Sequence, residues 1–585
     1  NGYPEKSPFI SSDSFLVNKV SSFQDRRTSH TNSVSSESDT DAPLTALTIG
    51  NTDAMITTRG KGWRLNKSTG VLTLSGASIS GVGDFGIEAV GTLTIEVQNG
   101  TRNTISGNQY GIYVDGNLNI RGSLTAEGAS SEGTGIYASG SILLENCPNL
   151  IARGGLEGLI SGASIDIRNS SVTASADLSL EDFDSGLLPC GLFAADQLTV
   201  RVDSVLNASS AFSGIDVWTL DAQDSTLNGT GGYYGIYCNT AQFQNCRIDA
   251  EATVSSADIT LDSPEHKAVG LYGSQIEISG SELDLLGGTA GILGDEPDSS
   301  LILTDSQGSI SGSYLACGTM GDVSISDCTL ALSQTLSMTE AMGYADFSGA
   351  EILPGGILSP AEDGTMEITD TMLEITGGTI QIGADSLLLD GVTADLTGGA
   401  YGIAGISAVS LTNCPAISVA ASNNALNGFV NAGGTLPSIP ACISANGPIT
   451  VSGCDQVSVQ GSWIGITSNE ANLTLEDSAV LASGGYAGLI GKDIVMTRAD
   501  VQARGTWTAT EAAQYGTEEV FALISSEGFI LTETTLEKGT LGLYNTSDGN
   551  TVCTALDSNG SILTTAVFTV AQEKPGPTDP SEPED

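Results

Sequence analysis

Residues 410–421 read SLTNCPAISVAA and place Asn413, Cys414 and Pro415 between two short runs of alternating apolar residues. Residues 143–154, LLENCPNLIARG, have the same arrangement. Alternation with a period of two is typical of a strand with one buried face, and Asn before a small residue is typical of a turn. The stretch therefore predicts a strand, a turn and a second strand, and its recurrence suggests a repeated unit.

This unit recurs along most of the chain and is anchored on an Asn, Asp or Gly that precedes a small residue. Many anchors lie about 20 to 25 residues apart, and longer intervals correspond to one unit plus an insertion. The clearest anchors fall at positions 146, 169, 203, 224, 245, 280, 305, 327, 370, 390, 413, 453, 477, 498 and 533, with weaker copies near 76, 99 and 121. Such a period is typical of a solenoid, in which each unit buries its apolar edge by stacking on its neighbours.

Each unit has a second landmark, a Gly followed by an apolar residue, as in GIYVDGNLNI (111–120) and GIYASGSILL (135–144). One coil therefore reads as strand, turn, strand, small-residue turn and strand. A leucine-rich repeat has a similar period but needs an LxxLxL half, which is not visible here. The predicted fold class is all-β: a single-stranded parallel β-helix, or solenoid, of about 18 coils with insertion loops on one edge.

The cysteines of the repeat share the position that follows the anchor. This position holds Cys147, Cys246, Cys328, Cys414 and Cys454, and in other coils Ser170, Ser204, Ser225, Ser281, Thr371, Gly391 or Ser478. Such a mixture indicates selection for a small residue at a tight inward corner, so we expect buried thiols. Cys414 and Cys454 alone occupy it in successive coils, which makes them the one pair to consider for a disulfide. No CxxC motif indicates a zinc site.

Charge limits the partners that the chain can bind. The 69 acidic and 20 basic residues give a formal net charge of -49, which repels nucleic acid phosphates and anionic lipid headgroups. No apolar run approaches the roughly 20 residues that span a bilayer. We therefore expect no nucleic acid partner and no membrane insertion.

The five largest departures from the period lie at about 173–190, 249–268, 331–365, 418–442 and 504–520. Each follows the same predicted strand and precedes the same Gly-apolar landmark, so all five should leave the coil at one edge. Insertions confined to one side of a solenoid often form its binding face. The alternative is that this corner merely tolerates additional length.

An aromatic row accompanies that edge. Alternation along the landmark strand places Ile112, Ile136, Leu192, Ile236 and Leu271 inward. The same alternation places Tyr113, Tyr137, Phe193, Tyr237 and Tyr272 outward. Exposed rings could stack on the apolar faces of sugars, which would place a neutral or Ca²⁺-bridged glycan along this strand. Alternatively, the insertions fold over the rings and bury them. Trp507, inside an insertion, is a separate candidate contact.

Two acid-rich segments, SLEDFDSG (179–186) and GDEPDSS (294–300), provide the candidate metal ligands Asp182, Asp184, Asp295 and Asp298. Ca²⁺ takes six to eight oxygen ligands, which acidic loops can supply. Neither segment matches an EF-hand loop or the GGxGxD nonapeptide, and solvated acidic loops are the alternative. No other cofactor is indicated.

Residues 62–79, GWRLNKSTGVLTLSGASI, and residues 91–128, which continue the pattern, resemble the start of parallel β-helix surface proteins of Gram-positive gut bacteria. These proteins are described as carbohydrate-binding-domain or adhesin-like. The resemblance is close over about residues 60–160 and more diffuse to about 545. It implies a right-handed parallel β-helix that is secreted or displayed on the cell surface, with glycan binding and Ca²⁺ sites in some relatives.

These observations predict an extracellular or cell-surface, adhesin-like protein that binds a glycan or host polysaccharide as a monomer, without catalytic activity. One alternative is a polysaccharide-degrading enzyme, either pectate-lyase-like or a glycoside hydrolase, since such enzymes share the fold. However, the NTD, DD, GHG and RIK motifs of polygalacturonases are absent, apart from one NTD at 51–53. A passive surface stalk is the third possibility.

The predicted organisation is a polar, flexible segment at 1–43, a parallel β-helix at 44–571, and an acidic, Pro-rich spacer at 572–585. The first segment is Ser-rich and the last contains EKPGPTDPSEPED, compositions that are typical of disordered or extended chain.

Overall fold

The computed structural model describes residues 42–81, 83–179, 188–254, 268–294, 296, 298–335, 355–359, 364–421, 440–514, 520–538, 542–545, 551–554 and 567–572. This part of the chain is nearly all β and forms a parallel β-solenoid of about 16 turns, which confirms the predicted fold class and is close to the predicted number of coils. The chain divides into two compact units, an N-terminal unit that ends at Met320 and a C-terminal unit that begins at Gly321.

In the N-terminal unit, each coil contains three strands, here called the first, second and third strand. The first strands are Phe85–Val90, Tyr110–Asp115, Thr134–Ala138, Glu157–Ser161, Tyr234–Tyr237, Val269–Tyr272, Ala290–Gly294 and Leu315–Thr319. The second strands are Val71–Leu74, Leu93–Val97, Leu118–Arg121, Ile142–Glu145, Ile165–Arg168, Thr240–Gln244, Gln275–Ser279 and Ser300–Thr304. The third strands are Ser78–Ser80, Thr104–Gly107, Leu124–Gly128, Leu150–Gly154, Ser171–Ala176, Val205–Ser209, Thr226–Gly231, Arg247–Ala252, Glu282–Gly287 and Gln307–Gly312. Cys190–Arg201 and Ser213–Gln223 each join a first and a second strand.

The C-terminal unit repeats the same coil with more continuous strands. Separate strands are Val323–Ser326, Thr329–Gln334, Gly355–Ser359, Thr365–Thr369, Met372–Thr376, Thr393–Thr397, Ala416–Ala420, Ala441–Ala445, Ile449–Ser452, Leu473–Glu476 and Asp500–Gly505. Merged strands are Ile380–Asp390, Tyr401–Thr412, Val457–Ser468, Ala479–Thr497 and Phe521–Lys538. A short helix, Ala509–Gln514, follows the last separate strand.

The inward residues of successive coils lie in register and form the core. Ile112 pairs with Ile136, Ile136 with Leu159, and Leu159 with Leu192 in parallel first strands. All four are fully buried. The inward positions predicted for the landmark strand are therefore confirmed.

The Gly of the landmark is required by a close approach of two strands in the same coil. A Cβ atom on Gly135 would lie 2.5 Å from the backbone nitrogen of Arg153 and 2.6 Å from the carbonyl oxygen of Gly158. Contacts below 3.0 Å to backbone cannot be relieved by moving a side chain. At this coil the first strand therefore packs against the third too closely to leave room for a Cβ atom.

The anchor residues adopt the left-handed conformation between the second and third strands. Their φ angles lie between 46° and 67° at Asn146, Asn169, Asp203, Asp224, Asn245, Gly280, Asp305, Asp327, Asp370, Gly391, Asn413, Gly453, Asp477, Arg498 and Glu533. Gly, Asn and Asp are the residues that adopt this conformation most readily, which explains the anchor's composition. Asn169 Nδ2 also donates a 2.7 Å hydrogen bond to Asn146 Oδ1, so the predicted side-chain ladder is present at these coils.

One predicted anchor is wrong by one residue. Met372 pairs with Thr393, so Gly391 occupies the anchor position and Val392 the small-residue position, in place of Asp390 and Gly391. Gly391 takes the positive φ because it has no Cβ to oppose it. Asp390 still accepts a 3.0 Å hydrogen bond from Asn413 Nδ2.

The position after the anchor has a polar role that selection for small size did not predict. The Ser281 hydroxyl accepts the backbone N–H of Cys246 in the preceding coil at 3.0 Å and donates to the Ser279 carbonyl at 2.8 Å. Cys147 with Ser170, and Cys454 with Ser478, repeat the first of these bonds. The hydroxyl thus accepts a hydrogen bond from a backbone N–H that would otherwise be buried at the corner without an acceptor.

Replacing Ser281 by alanine should therefore lower the free energy of unfolding by about 1–3 kcal/mol, because the Cys246 N–H loses its acceptor. Ser281→Cys is the matched control, since a thiol already occupies the equivalent position in the preceding coil. Urea unfolding measures both variants. An alanine variant as stable as wild type would show that the hydrogen bond is dispensable.

The nine cysteines whose side chains are described are buried thiols. A hydrogen bond to the Cys454 thiol, together with burial, raises the pKa of the Cys414 thiol, so these neighbours are in contact without a disulfide. Burial raises the pKa of Cys317 and Cys442 to about 12 and that of Cys190 well above its usual range. These thiols are therefore protonated and shielded at neutral pH.

We expect iodoacetamide to modify these nine cysteines in denaturant equally well with and without prior reduction. In the folded protein their reaction should be slow even at pH 9, because all nine side chains are buried away from the reagent. Mass spectrometry of peptides measures both reactions. Reduction-dependent labelling of four or more cysteines would contradict the assignment.

All five insertions lie between a third strand and the next first strand, as predicted. The third strands before them end at Ala176, Ala252, Gln334, Ala420 and Gly505, and the next first strands begin at Cys190, Val269, Gly355, Ala441 and Phe521. The predicted bounds were too wide because residues of the flanking strands were included. The interval 331–365 also contains a complete first strand, Gly355–Ser359.

Antiparallel strands begin the N-terminal unit and end the C-terminal unit. Ala46–Ile49 runs antiparallel to Phe85–Val90, and Trp63–Asn66 runs antiparallel to Val71–Leu74. Val567–Gln572 runs antiparallel to Phe521–Lys538. The predicted flexible segment and acidic spacer lie outside the described residues, except for residues 42, 43 and 572.

Candidate functional site

The aromatic row is mostly buried. Relative exposure is 6% for Tyr137, 4% for Phe193, 2% for Tyr237 and 4% for Tyr272, whereas Tyr113 is partly exposed. Of the two alternatives left open for this row, packing describes these four rings, and exposure describes only part of Tyr113. Period-two alternation distinguishes the two faces of a strand but does not show what packs over each face.

The buried rings pack against one another between successive coils. Tyr237 and Tyr272 stack with ring centroids 4.7 Å apart and an interplanar angle of 1°. Tyr137 and Phe193 belong to a cluster with Ile160 and Cys190. These rings are part of the fold's interior and are not available as a stacking surface.

Where the row begins, three rings remain partly exposed and form what we call the N-terminal patch: Phe85, Tyr110 and Tyr113. Phe85 and Tyr110 stack at 5.5 Å with an interplanar angle of 12°, and Tyr113 lies 5.3 Å from Phe85 and 5.1 Å from Tyr110. Tyr113 also stacks on the buried Tyr137 at 5.1 Å. The buried ring holds the patch in place, so its exposed area is preorganised.

Carboxylates surround this patch. Glu88 and Tyr113 are register partners in adjacent first strands, and Asp115 follows Tyr113 by two residues. Burial is the main cause that raises the pKa of Tyr113, and the nearby carboxylates of Asp115 and Glu88 raise it further. For the raised pKa of Tyr110, burial is again the main cause, and Glu157 adds to it. The Asp115 carboxylate accepts a 2.9 Å hydrogen bond from Ser139 Oγ. The phenols therefore remain neutral donors in a negative local field.

A second set of partly exposed rings, the C-terminal patch, consists of Trp463, Tyr486 and Trp507. Trp463 and Trp507 meet edge to face at 5.4 Å, and Tyr486 lies 6.3 Å from Trp507. A Cβ on Gly485 would lie 2.1 Å from Trp507 Nε1, so the indole rests directly on the backbone there. The backbone N–H of Trp507 donates a 2.9 Å hydrogen bond to the Gly485 carbonyl, which fixes the start of the insertion against the first strand.

Tyr113 and Trp507 were predicted from the sequence, but their partners Phe85, Tyr110 and Tyr486 were not. Phe85 and Tyr110 each directly precede the Gly of the landmark, in FGI and YGI. Tyr486 and Trp463 each stand two residues before that Gly. An aromatic residue one or two positions before the landmark Gly could therefore have identified these rings from the sequence.

The predicted metal ligands are only partly within the described chain. Asp182, Asp184 and Asp295 lie outside the described residues, and Asp298 is exposed. Among the residues that the structure describes, no three His, Cys, Asp or Glu side chains are grouped so that they could hold a metal ion. The Ca²⁺ hypothesis thus depends on residues that are not described.

A lyase would need a basic residue free to act as a base, but several arginines of the coils make ion pairs on the outer faces instead. Arg121 contacts Glu145 at 3.0 Å, and Arg247 contacts Glu282 at 3.0 Å, both across neighbouring coils. Arg498 contacts Glu476 at 2.9 Å and Asp477 at 2.6 Å. In the NTD sequence, Asp53 accepts the backbone N–H of Met55 at 2.9 Å, as in an ordinary turn.

The described fold and its two patches define a parallel β-solenoid with partly exposed aromatic surfaces. No family model matches the chain, and the comparisons with curated proteins and with solved structures give no match. In the described residues, no helix is both long and apolar enough to cross a membrane.

Proposed function

We propose that this protein is a secreted or cell-surface, adhesin-like solenoid that binds carbohydrate through its aromatic patches and has no catalytic activity. The observation that carries the proposal is the N-terminal patch, where partly exposed rings of Phe85, Tyr110 and Tyr113 lie together on a rigid strand surface. Clustered aromatic side chains offer apolar faces that match the C–H faces of sugars, and the tyrosine hydroxyls can hydrogen-bond to sugar hydroxyls.

The surroundings of the patch support a polar ligand with a rigid binding surface. Glu88 and Asp115 supply hydrogen-bonding groups within the same first strands, and the Ser139 hydroxyl supplies another just after the next first strand. The connection before Tyr110 contains only residues 108 and 109, so the patch begins next to a short corner. Sites of this kind, with a few polar groups around an apolar platform, bind ligands with little loss of protein entropy.

The resemblance to parallel β-helix surface proteins of Gram-positive gut bacteria supports the extracellular location and the absence of catalysis. The net charge of -49 disfavours polyanionic partners unless cations bridge them. Ca²⁺ bound by Asp182, Asp184, Asp295 and Asp298 would be such a bridge, and the protein would act as a monomer.

A glycan array, run with Ca²⁺ and with a chelator, tests this function, with titration calorimetry on any ligand found. Tyr113→Ala and Trp507→Ala should each weaken binding to their own patch by about tenfold (~1.4 kcal/mol). Leu286→Ala and Met372→Ala, which alter exposed apolar residues on third strands, are the controls and should bind normally. An empty array, or binding unaffected by both aromatic variants, would contradict the proposal. Release of reducing or unsaturated sugars would show an enzyme instead.

A further inference from the structure

The strands of the N-terminal patch and their flanking corners carry negative charge only. The segments 83–93, 107–117, 128–141 and 154–164 contain the first strands and flanking corners of four successive coils. They carry five acidic residues, Asp84, Glu88, Asp115, Glu132 and Glu157, and no Lys, Arg or His. Of the outer carboxylates elsewhere on the N-terminal unit, Glu145 and Glu282 contact arginine. Residues 268–491 also contain acidic residues without any Lys, Arg or His, and the matched control below is taken from them.

The same strands carry the three aromatic rings, so negative charge and π faces occur together. The ring contacts of 5.1–5.5 Å among Phe85, Tyr110 and Tyr113 hold these side chains within one small area. A cation within about 6 Å of such a ring is attracted by its quadrupole, most strongly over Trp and Tyr. A carboxylate beside the ring adds a charge-assisted hydrogen bond to an ammonium group.

From this combination we infer that the ligand of the N-terminal patch is a glycan with free amino groups, a polymer or oligomer of amino sugars that are not N-acylated. The inference rests on the proposed carbohydrate-binding function. The sugar's C–H face packs on the exposed rings, while its ammonium groups contact Glu88 and Asp115. A neutral sugar would leave these carboxylates without a charged partner, and an acidic sugar would be repelled.

Three β-1,4-linked oligosaccharides of equal length test the inference: those of glucosamine, N-acetylglucosamine and glucose. In mildly acidic buffer, where the amine is protonated, they differ at carbon 2 only and carry an ammonium, an acetamido and a hydroxyl group there. Titration calorimetry with the full chain at low salt should show the glucosamine oligomer binding at least about tenfold (~1.4 kcal/mol) more tightly than the other two. Raising the salt concentration should reduce this preference, because the patch carboxylates are partly solvated.

The variant Glu88→Gln/Asp115→Asn keeps the size and hydrogen-bonding capacity of both side chains but removes their charge. It should reduce the preference for glucosamine over glucose oligomers to below about threefold. The matched control is Glu374→Gln/Asp395→Asn, an exposed pair of carboxylates in register on third strands of the C-terminal unit. The control should keep the full preference.

Other outcomes would overturn the inference. If all three oligomers bind equally and Glu88→Gln/Asp115→Asn has no effect, the protein still binds carbohydrate, but the inference of an amino-sugar ligand is wrong. If the patch variant and the control lose the same part of the preference for the glucosamine oligomer, the attraction comes from the net charge of the chain alone. If oligolysine binds as tightly as the glucosamine oligomer with the same sensitivity, the ligand is a basic peptide. If no oligomer binds and the glycan array is empty, the proposed function itself fails.

Discussion

Replacing Tyr237 and Tyr272 together by alanine is expected to lower the free energy of unfolding by several kcal/mol. Truncating one fully buried aromatic ring typically costs about 3–5 kcal/mol. These two rings are 2% and 4% exposed and stack at 4.7 Å, so the second truncation enlarges the cavity left by the first. Their losses are therefore coupled and need not add.

Denaturant titration of the two single variants and the double variant measures the loss and the coupling. Tyr113→Ala serves as the comparison, because this ring is partly exposed at the equivalent position and should cost less stability. A double variant that keeps wild-type stability but loses glycan affinity would mean that the rings form an exposed binding surface, contrary to the structure.

Replacing Gly214 by alanine should have the second large effect on stability. Its Cβ would lie 2.6 Å from the backbone nitrogen of Thr230, 2.7 Å from the Gly235 carbonyl oxygen and 2.9 Å from that of Ala208. All three atoms belong to strand backbones, so the added methyl group can be accommodated only by separating strands. We expect a loss of about 3 kcal/mol or more.

Gly83→Ala is the matched control for this substitution. A Cβ there would meet no atom within 4 Å, and its φ is not in the left-handed region. Because the added methyl group restricts the backbone of the unfolded chain, the free energy of unfolding of Gly83→Ala should equal that of wild type or exceed it slightly. Thermal unfolding distinguishes the two variants; equal stability of Gly214→Ala and wild type would show that the strand spacing is adjustable.

Much of the fold was predictable because its geometry favours a local residue type at most coils. Gly fits the close contact between the first and third strands, and Asn, Asp or Gly is favoured at the left-handed corner. The landmark position also accepts Ala316, Gln381, Cys442 and Ala522 in other coils. The shift at Gly391 shows the limit of this reasoning. Asp390 and Gly391 both suit the corner, and only the pairing of Met372 with Thr393 decides between them.

The candidate site was less predictable, because exposure depends on residues distant in sequence. Tyr113 and Tyr237 occupy equivalent positions in the first strands of different coils. Tyr113 is nevertheless partly exposed, whereas Tyr237 is 2% exposed. The partners of Tyr113 in the patch, Phe85 and Tyr110, come from the preceding coil and the start of its own strand. A single-coil pattern does not show that these rings meet.

The way in which each coil is paired has a consequence for how such a chain can change. Thr134–Ala138 pairs with Tyr110–Asp115 on one side and with Glu157–Ser161 on the other. A coil therefore requires only a neighbour with the same small set of corner residues. Internal duplication or deletion of a whole coil preserves every remaining interface, and a gene can lengthen or shorten this protein, or recombine its patches, without a new core having to evolve.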